Sequence, residues 1–430
     1  MSQPKIAIIG AGPAGCTLAL ILHKAGIPVI IFEGEASANS RHQGGTLDLH
    51  DGTGLNAIKR AGLYDEFTKL ARYDGESFKV ANKYLRLFLN MPGATEGSSR
   101  GRPEIDRAQL RELLVNALPP DTIQWNHRLR RVDDTDPTNI TLHFDNGITS
   151  AGHDLLVGAD GAWSKVRPLL TPVRPFYSGV NFVRYTITSA SSRHPALHKL
   201  VNRGSLFAFS DGKGITAQQM SNGTLTVSTV RSVPETYAEQ HPEHRTSVTE
   251  SKRLSLADFA DWDEQLLSLI READETEAPW TANVYTLPAG LRWPHRAGVT
   301  LIGDAAHVMV PFAGEGVNVS MADSVNLADA IIASSQSSSK FNEVLSAKVR
   351  AYEEEMFVRA GRVNATSFEM MQCSFFDTGA PDESIVKYVS RAVEDGLPWG
   401  LVGVAQVAAK AYFSWLSWWY PGRGRIGKVE

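Results

Sequence analysis

The chain has 430 residues, 43% of them hydrophobic, with 43 Lys and Arg against 47 Asp and Glu. That length can bury a large core and suggests two or three structural units, which excludes a short peptide-like scaffold. The near balance of charge excludes the global field that would mark a nucleic-acid partner, and two cysteines, Cys16 and Cys373, are too few for a disulfide framework or a thiolate metal site.

The opening stretch, KIAIIGAGPAG, runs into glycines without a long apolar core. No signal peptide is therefore expected, and residence in the cytoplasm is. Residues 5 to 10 read as a buried strand, 13 to 24 as a helix ended near Gly26, and 28 to 33 as a second buried strand, making a βαβ unit. Gly10, Gly12 and Gly15 form G-x-G-x-x-G between strand and helix. The first glycine permits a tight turn, the second lets a pyrophosphate approach the backbone, and the third allows close packing of the helix. Glu33 ends the next strand, where a carboxylate can accept a ribose 2′-hydroxyl and would repel a 2′-phosphate. The resident dinucleotide expected at this point is FAD or NAD.

Asp106 stands where an N-cap belongs before RAQLRELLVNAL, whose Leu110, Leu113, Leu114 and Ala117 repeat at helical spacing, so Arg107 falls in the first turn. Segments 122 to 133 and 139 to 150 read as antiparallel strands, with Asn146-Gly147 as a hairpin signal. The strand DLLVGA follows and delivers Asp160-Gly161 to its end. From about 176 to 286 the texture changes to alternating strands with Asp211-Gly212 and Asn222-Gly223 turns, then a helix near 261 to 272. Residues 299 to 303 return to the buried-strand pattern and end on Asp304, and helices are expected over 317 to 333 and 341 to 371. The first unit is thus discontinuous, built from 1–82, 101–175 and 285–340. The second takes 83–100 and 176–284, followed by a long helix over 341–375 and an extension over 376–430.

Carboxylates at strand ends, as at Asp160 and Asp304, can hydrogen-bond sugar or ribityl hydroxyls, and NAD has no ribityl chain, which favours FAD. The loop through Pro311, Gly314 and Gly316 leads into a helix beginning near Val317 and Asn318. Free N–H groups at that helix end can face a flat ring and stabilise the negative charge of a reduced flavin. No G-x-S-x-G elbow, HExxH pair or Cys/His metal spacing occurs, so no side-chain nucleophile and no metal is expected, and no catalytic side chain is assigned. His307, isolated between strand and loop, reads as structural.

G-x-G-x-x-G with Glu33, Asp160-Gly161, and GDAAHVMVPFAGEGVN together resemble the single-component, class A flavin monooxygenases. GGTLDLHDGTG, GRPEIDRAQLR, SKVR and DFADWDE extend the resemblance, over about residues 4 to 375, to the tetracycline-inactivating monooxygenases and their fungal relatives. The resemblance implies an α/β fold, a Rossmann-like FAD-binding domain of the glutathione-reductase type beside a domain on a mostly antiparallel sheet, with C-terminal helices. It implies that Arg107 and Asp304 contact FAD, that Asp48 lies near the flavin or ribityl side, and that Arg41 contacts NADPH or the flavin. It further implies NADPH or NADH as a transient co-substrate, O2, and chemistry through a flavin C4a-hydroperoxide.

The substrate pocket is expected between the flavin ring and the second sheet, lined partly by residues 176 to 231, with Arg184 and Gln218 as polar candidates. Arg184 stands where the tetracycline-inactivating enzymes carry a glutamine, and LFAFSDGKGITAQQ lacks a counterpart to their substrate-contacting arginine. A hydrophobic phenolic, enolic or indolic small molecule, hydroxylated or epoxidised in secondary metabolism, is expected in place of tetracycline. The alternatives are a tetracycline-type hydroxylase, an FAD-dependent oxidase or reductase on the same fold, and a non-enzymatic binding module. The expected partners are an aromatic or enolic small molecule and O2 without nucleic acid, in a monomer or weak homo-oligomer.

Residues 399 to 420, WGLVGVAQVAAKAYFSWLSWWY, form an apolar pattern interrupted by Gln406, Lys410, Ser414 and Ser417 and followed by Arg423, Arg425 and Lys428. The length is marginal for a membrane span and Lys410 is costly there. Two readings stand. The helix packs across the domains or caps the substrate pocket, or it lies at a membrane interface and makes the protein peripheral.

Overall fold

Five parallel strands stack in the order Val299–Leu301, Leu155–Gly158, Ile6–Ile9, Val29–Phe32 and Ile123–Gln124. This is a computed structural model, and it describes residues 4–38, 40, 44–93, 101–136, 139–276, 279–335 and 341–394. The central strand, IAII, is buried at every position because helices cover both faces of the sheet, which is why it reads as an unbroken apolar run. Parallel pairing brings Gly10, Glu33, Asp160 and Asp304 to one edge of the sheet, at the carboxyl ends of four strands. The helix Pro13–Lys24 leaves the first strand and packs on the buried helix Gly316–Ser335, where Ser324 Oγ donates to the Ala14 carbonyl at 2.8 Å.

The segment 122–133, read as one strand, is two. Ile123–Gln124 joins the parallel sheet beside Val29–Phe32, while Leu129–Asp133 pairs antiparallel with Thr141–Phe144 in a small three-stranded sheet. The break falls at Asn126, which adopts a left-handed φ of 60° and donates its backbone N–H to Glu35 O. Residue periodicity carries no trace of that turn, since asparagine tolerates the conformation without an adjacent glycine.

The seven-stranded sheet runs Trp280–Thr286, Phe176–Ile187, Leu225–Ser232, Lys213–Gln219, Ser205–Ser210, Phe78–Ala81 and Leu87–Met91. Every pairing is antiparallel except Ser205–Ser210 with Phe78–Ala81. Phe78–Ala81, which the sequence reading left in the first unit by its boundary at 82, therefore belongs to this sheet. The parallel pairing that puts it there joins residues far apart in sequence. Asp211 and Gly212, both with positive φ, turn one hairpin, as the Asp-Gly pair requires.

One face of this sheet, through Val183, Tyr185, Leu206, Ile215 and Val227, packs on Phe259, Leu266, Leu269 and Ile270. The helix Val248–Asp258 on that face was not anticipated, and the helix expected near 261 to 272 runs from Glu264 to Arg271. The opposite face carries Val180, Phe209 and Val230, which meet Met370, Met371 and Phe375 of the long helix Phe341–Phe375, with Phe182 and Phe312 packed alongside. The space between the two sheets thus lies on the side where the four strand ends of the first sheet emerge.

Asp106 precedes the helix Arg107–Asn116, yet its carboxylate does not cap it. It accepts instead from the Ser221 backbone N–H and hydroxyl and lies 3.5 Å from the Arg72 guanidinium. Tertiary partners outcompete the local cap because they satisfy a buried carboxylate with several donors. Among the described residues no helix is long and apolar enough to cross a membrane. The Trp-rich stretch 399–420 lies outside the described residues.

Candidate active site

The glycine loop separates packing from opening. A Cβ at Gly10, whose φ is +105°, would lie 2.4 Å from the Ala159 carbonyl oxygen, and one at Gly15 would lie 2.1 Å from the Gly10 carbonyl oxygen. Both positions are closed to any side chain. Gly12, by contrast, meets nothing within 4 Å. Glu33 fixes the loop from the next strand. Its Oε2 accepts the Ala11 N–H at 2.7 Å and its Oε1 accepts the Glu35 N–H at 2.9 Å.

Asp160 and Asp304 differ in how they are held. Asp160 Oδ2 accepts the Lys165 N–H at 2.7 Å, closing the turn after its strand, while Oδ1 is buried without a hydrogen-bond partner. Burial raises the Asp160 pKa against the opposing turn hydrogen bonds. The Asp304 side chain is open to water, and desolvation by the surrounding protein raises its pKa, with the charges of His307 and Arg107 pulling the other way. Behind it His307 Nε2 contacts Asp323 Oδ2 at 2.6 Å, and Asp323 also accepts from Gly303 N–H and Arg359. His307 is thus committed to a buried ion pair that braces the strand end carrying Asp304.

Pro311–Ala313 forms a 3₁₀ turn, Gly314 adopts φ +72°, and Gly316 begins the helix with no atom near its open side. This loop is clamped to the strand Thr46–Asp48. Asn318 Oδ1 accepts the His50 N–H at 2.8 Å and its Nδ2 donates to the Asp48 carbonyl at 2.9 Å. The His50 ring meets Asp48 Oδ2 at 2.7 Å and Glu315 Oε1 at 2.9 Å. Burial opposes a charge on His50, but hydrogen bonds to both carboxylates outweigh it and raise the pKa to about 9. Asp48 lies beside Gly314, its Oδ1 3.7 Å from where a Cβ would be. The Asn318 side chain therefore faces the protein interior, so only its backbone N–H remains for the loop. His50 and Glu315 were absent from the sequence reading, although both stand inside its quoted motifs.

From the second sheet, Arg184 Nη1 lies 3.4 Å from where a Gly44 Cβ would be, and Gln218 Oε1 lies 3.7 Å from the same point on Gly45. Arg107 donates its backbone N–H to the Gly45 carbonyl at 3.1 Å, and its charge acts on both Asp304 and Arg184. The glycine stretch after residue 43 thus meets the second-sheet candidates Arg184 and Gln218 on one side and the Arg107 backbone on the other. Arg41 lies outside the described residues.

These residues fit an adenine dinucleotide with a ribityl chain. The open side of Gly12, the orphaned Asp160 Oδ1 and the water-accessible Asp304 carboxylate are features that packing alone does not require. Among the described residues no group of His, Cys, Asp and Glu could hold a metal ion.

A family model described as FAD binding domain matches residues 3–350 of the chain. The chain is 30% identical over 426 residues to Monooxygenase penA of Penicillium thymicola, covering 88% of this chain and 97% of that protein. Among solved structures it superposes on a salicylate hydroxylase substrate complex with a TM-score of 0.72 at 20% identity, covering 95% of this chain and 98% of that one. The tetracycline destructase Tet(55) gives a TM-score of 0.66 at 18% identity, covering 91% and 96%. These two structural likenesses establish the fold.

Proposed function

The chain belongs to the FAD-binding-domain family and is an FAD-dependent monooxygenase, and from that premise we propose that it hydroxylates or epoxidises a hydrophobic phenolic, enolic or indolic molecule in secondary metabolism. NADPH or NADH serves as the transient reductant and O2 as co-substrate. The observation that carries this reading is the approach of Arg184, Gln218 and the Arg107 backbone to Gly44 and Gly45, with the Arg107 charge acting on Asp304.

Gly10, Gly12 and Gly15 form the cradle for the FAD pyrophosphate, with Glu33 and the strand-end Asp160 and Asp304 taking sugar and ribityl hydroxyls. Bound FAD supplies the redox chemistry, taking electrons from the nicotinamide and delivering them to O2. Pro311, Gly314 and the N–H groups of Gly316, Val317 and Asn318 present a donor-rich edge to the ring, where developing negative charge is stabilised. The loop geometry is held by His50 and Asn318. On the other side the sheet face with Phe182, Arg184 and Gln218 orients the substrate, and Phe312 packs near Phe182 at a ring separation of 6.3 Å to keep water out.

The test begins with the absorption spectrum of the purified protein, followed by anaerobic addition of NADPH or NADH and then of O2. A yellow protein that bleaches with reduced nicotinamide and places one atom of labelled O2 in an aromatic product supports the reading. A flavin that turns over with peroxide as the only oxygen product, across phenolic, enolic and indolic compounds, would make it an oxidase instead.

A further inference from the structure

Two acids stand at the loop before the helix Gly316–Ser335, and one base stands between them. Between Pro311 and Asn318 the only charged residue is Glu315, directly before the helix start. A carboxylate there takes up the favourable potential of the first free N–H groups and repels any other anion that would use it. Asp48 brings a second carboxylate from the strand Thr46–Asp48, its Oδ1 3.7 Å from where a Gly314 Cβ would be. Both acids meet the same imidazole, Glu315 Oε1 at 2.9 Å from Nδ1 and Asp48 Oδ2 at 2.7 Å from Nε2. A neutral imidazole has one N–H, so two carboxylate acceptors on opposite ring nitrogens require the doubly protonated cation. The pKa, raised to about 9 by these two hydrogen bonds against burial, agrees with that geometry.

The other charged groups around His50 are engaged elsewhere. Asp51 pairs with Lys59 of the helix Gly54–Ala61. Glu104, opposite Asp48 on the strand Glu104–Asp106, is bonded to Arg72 and Thr46. Asn318, from the helix, bridges the same segments through uncharged groups. The cluster therefore holds two negative charges and one positive, and loss of the His50 proton doubles its net negative charge. Transfer of a hydride from a nicotinamide adds two electrons and one proton to a flavin ring, which becomes an anion while the nicotinamide becomes a cation. A charge fixed at the ring's donor edge acts more strongly on that anion than on the neutral oxidised ring.

Resting on the monooxygenase reading above, in which this loop faces the ring, we propose that His50 is a positioning residue for the reductive step. Acting through Glu315, its imidazolium cancels the acid at the helix start and raises the reduction potential of bound FAD.

The test measures the midpoint potential of the flavin in the FAD-loaded full chain by spectroelectrochemistry from pH 7 to 10. At pH 7, His50→Gln is expected to weaken the preference for reduced over oxidised flavin roughly tenfold, a fall of about 30 mV for a two-electron couple. The gap from the wild type should shrink as pH rises through 9, where the wild type loses the same charge. Adding Glu315→Gln to His50→Gln should return the potential to near the wild-type value, because a negative charge then leaves with the positive one. A loosened loop would not be repaired by removing a second contact. An unchanged potential in His50→Gln at pH 7, a gap that persists undiminished to pH 10, or a double variant that stays low overturns the proposal. If His50→Gln does not fold, Glu315→Gln alone decides: a potential raised by a similar factor supports the proposal, and an unchanged or lowered one overturns it. A wild-type protein that takes up no FAD refutes the monooxygenase reading itself, whereas a holoprotein whose potential ignores His50 refutes only this inference.

Discussion

His50 lies between two carboxylates drawn from distant parts of the chain, 2.7 Å from Asp48 and 2.9 Å from Glu315. The contact ties the strand Thr46–Asp48 to the loop that opens the helix Gly316–Ser335.

The sign of the pH effect follows from the direction of the shift. The folded protein raises the His50 pKa from 6.5 to about 9, so the imidazolium contributes stability that is complete below pH 6.5 and lost as pH climbs through 9. With Asp48 about one-third open to solvent, the contribution is on the order of 2 kcal/mol. Thermal midpoints measured from pH 6 to 10 should fall more steeply in the wild type than in His50→Gln. Superimposable profiles would remove His50 from the clamp.

Asn318 bridges the same two segments through uncharged groups and is fully buried. Asn318→Ala leaves a buried N–H and a buried carbonyl unpaired and should cost about 2 to 4 kcal/mol at all pH values. Chemical denaturation checks this. A loss that appears only above pH 9 would assign the effect to His50 instead.

Gly12 and Gly15 predict opposite phenotypes from the same motif. Gly15→Ala drives a Cβ to 2.1 Å from a backbone oxygen and should prevent stable folding, whereas Gly12→Val meets open space and should leave the apoprotein's Tm nearly unchanged. Gly12→Val should nevertheless abolish FAD retention, because its side chain occupies the approach to the pyrophosphate. Normal flavin occupancy in Gly12→Val would move the cofactor away from this loop.

Asp304→Asn separates binding from stability. Removing a carboxylate whose charge the surrounding protein disfavours should leave the apoprotein's Tm equal or slightly higher. FAD affinity should fall by roughly 5- to 150-fold, the equivalent of about 1 to 3 kcal/mol of lost hydrogen bonding. Titration of the apoprotein with FAD provides the measurement, and an unchanged dissociation constant would exclude Asp304 from the cofactor site.

Local signals reached far into this protein, because dinucleotide binding is written in short-range backbone demands. Gly10, Gly12 and Gly15 are required by a turn, an approach and a packing contact within six positions, and Glu33 follows at the end of the next strand. Hydrophobic runs at 6–9, 29–32, 155–158 and 299–301 likewise announce strands buried on both faces. What the chain could not disclose locally were contacts whose energy depends on residues far apart in sequence. Asp106 looked like a helix cap until Ser221 and Arg72 supplied better donors. The segment 122–133 looked like one strand until Asn126 turned it between two sheets, and Phe78–Ala81 changed sheet because its partner is Ser205–Ala208. His50, Glu315 and Asn318 sit in recognisable motifs, but their meeting is decided only when the fold brings residues 48–50 beside 315–318. The same tertiary arrangement sets the environment of Arg184, through Trp280 and Arg107 on separate elements.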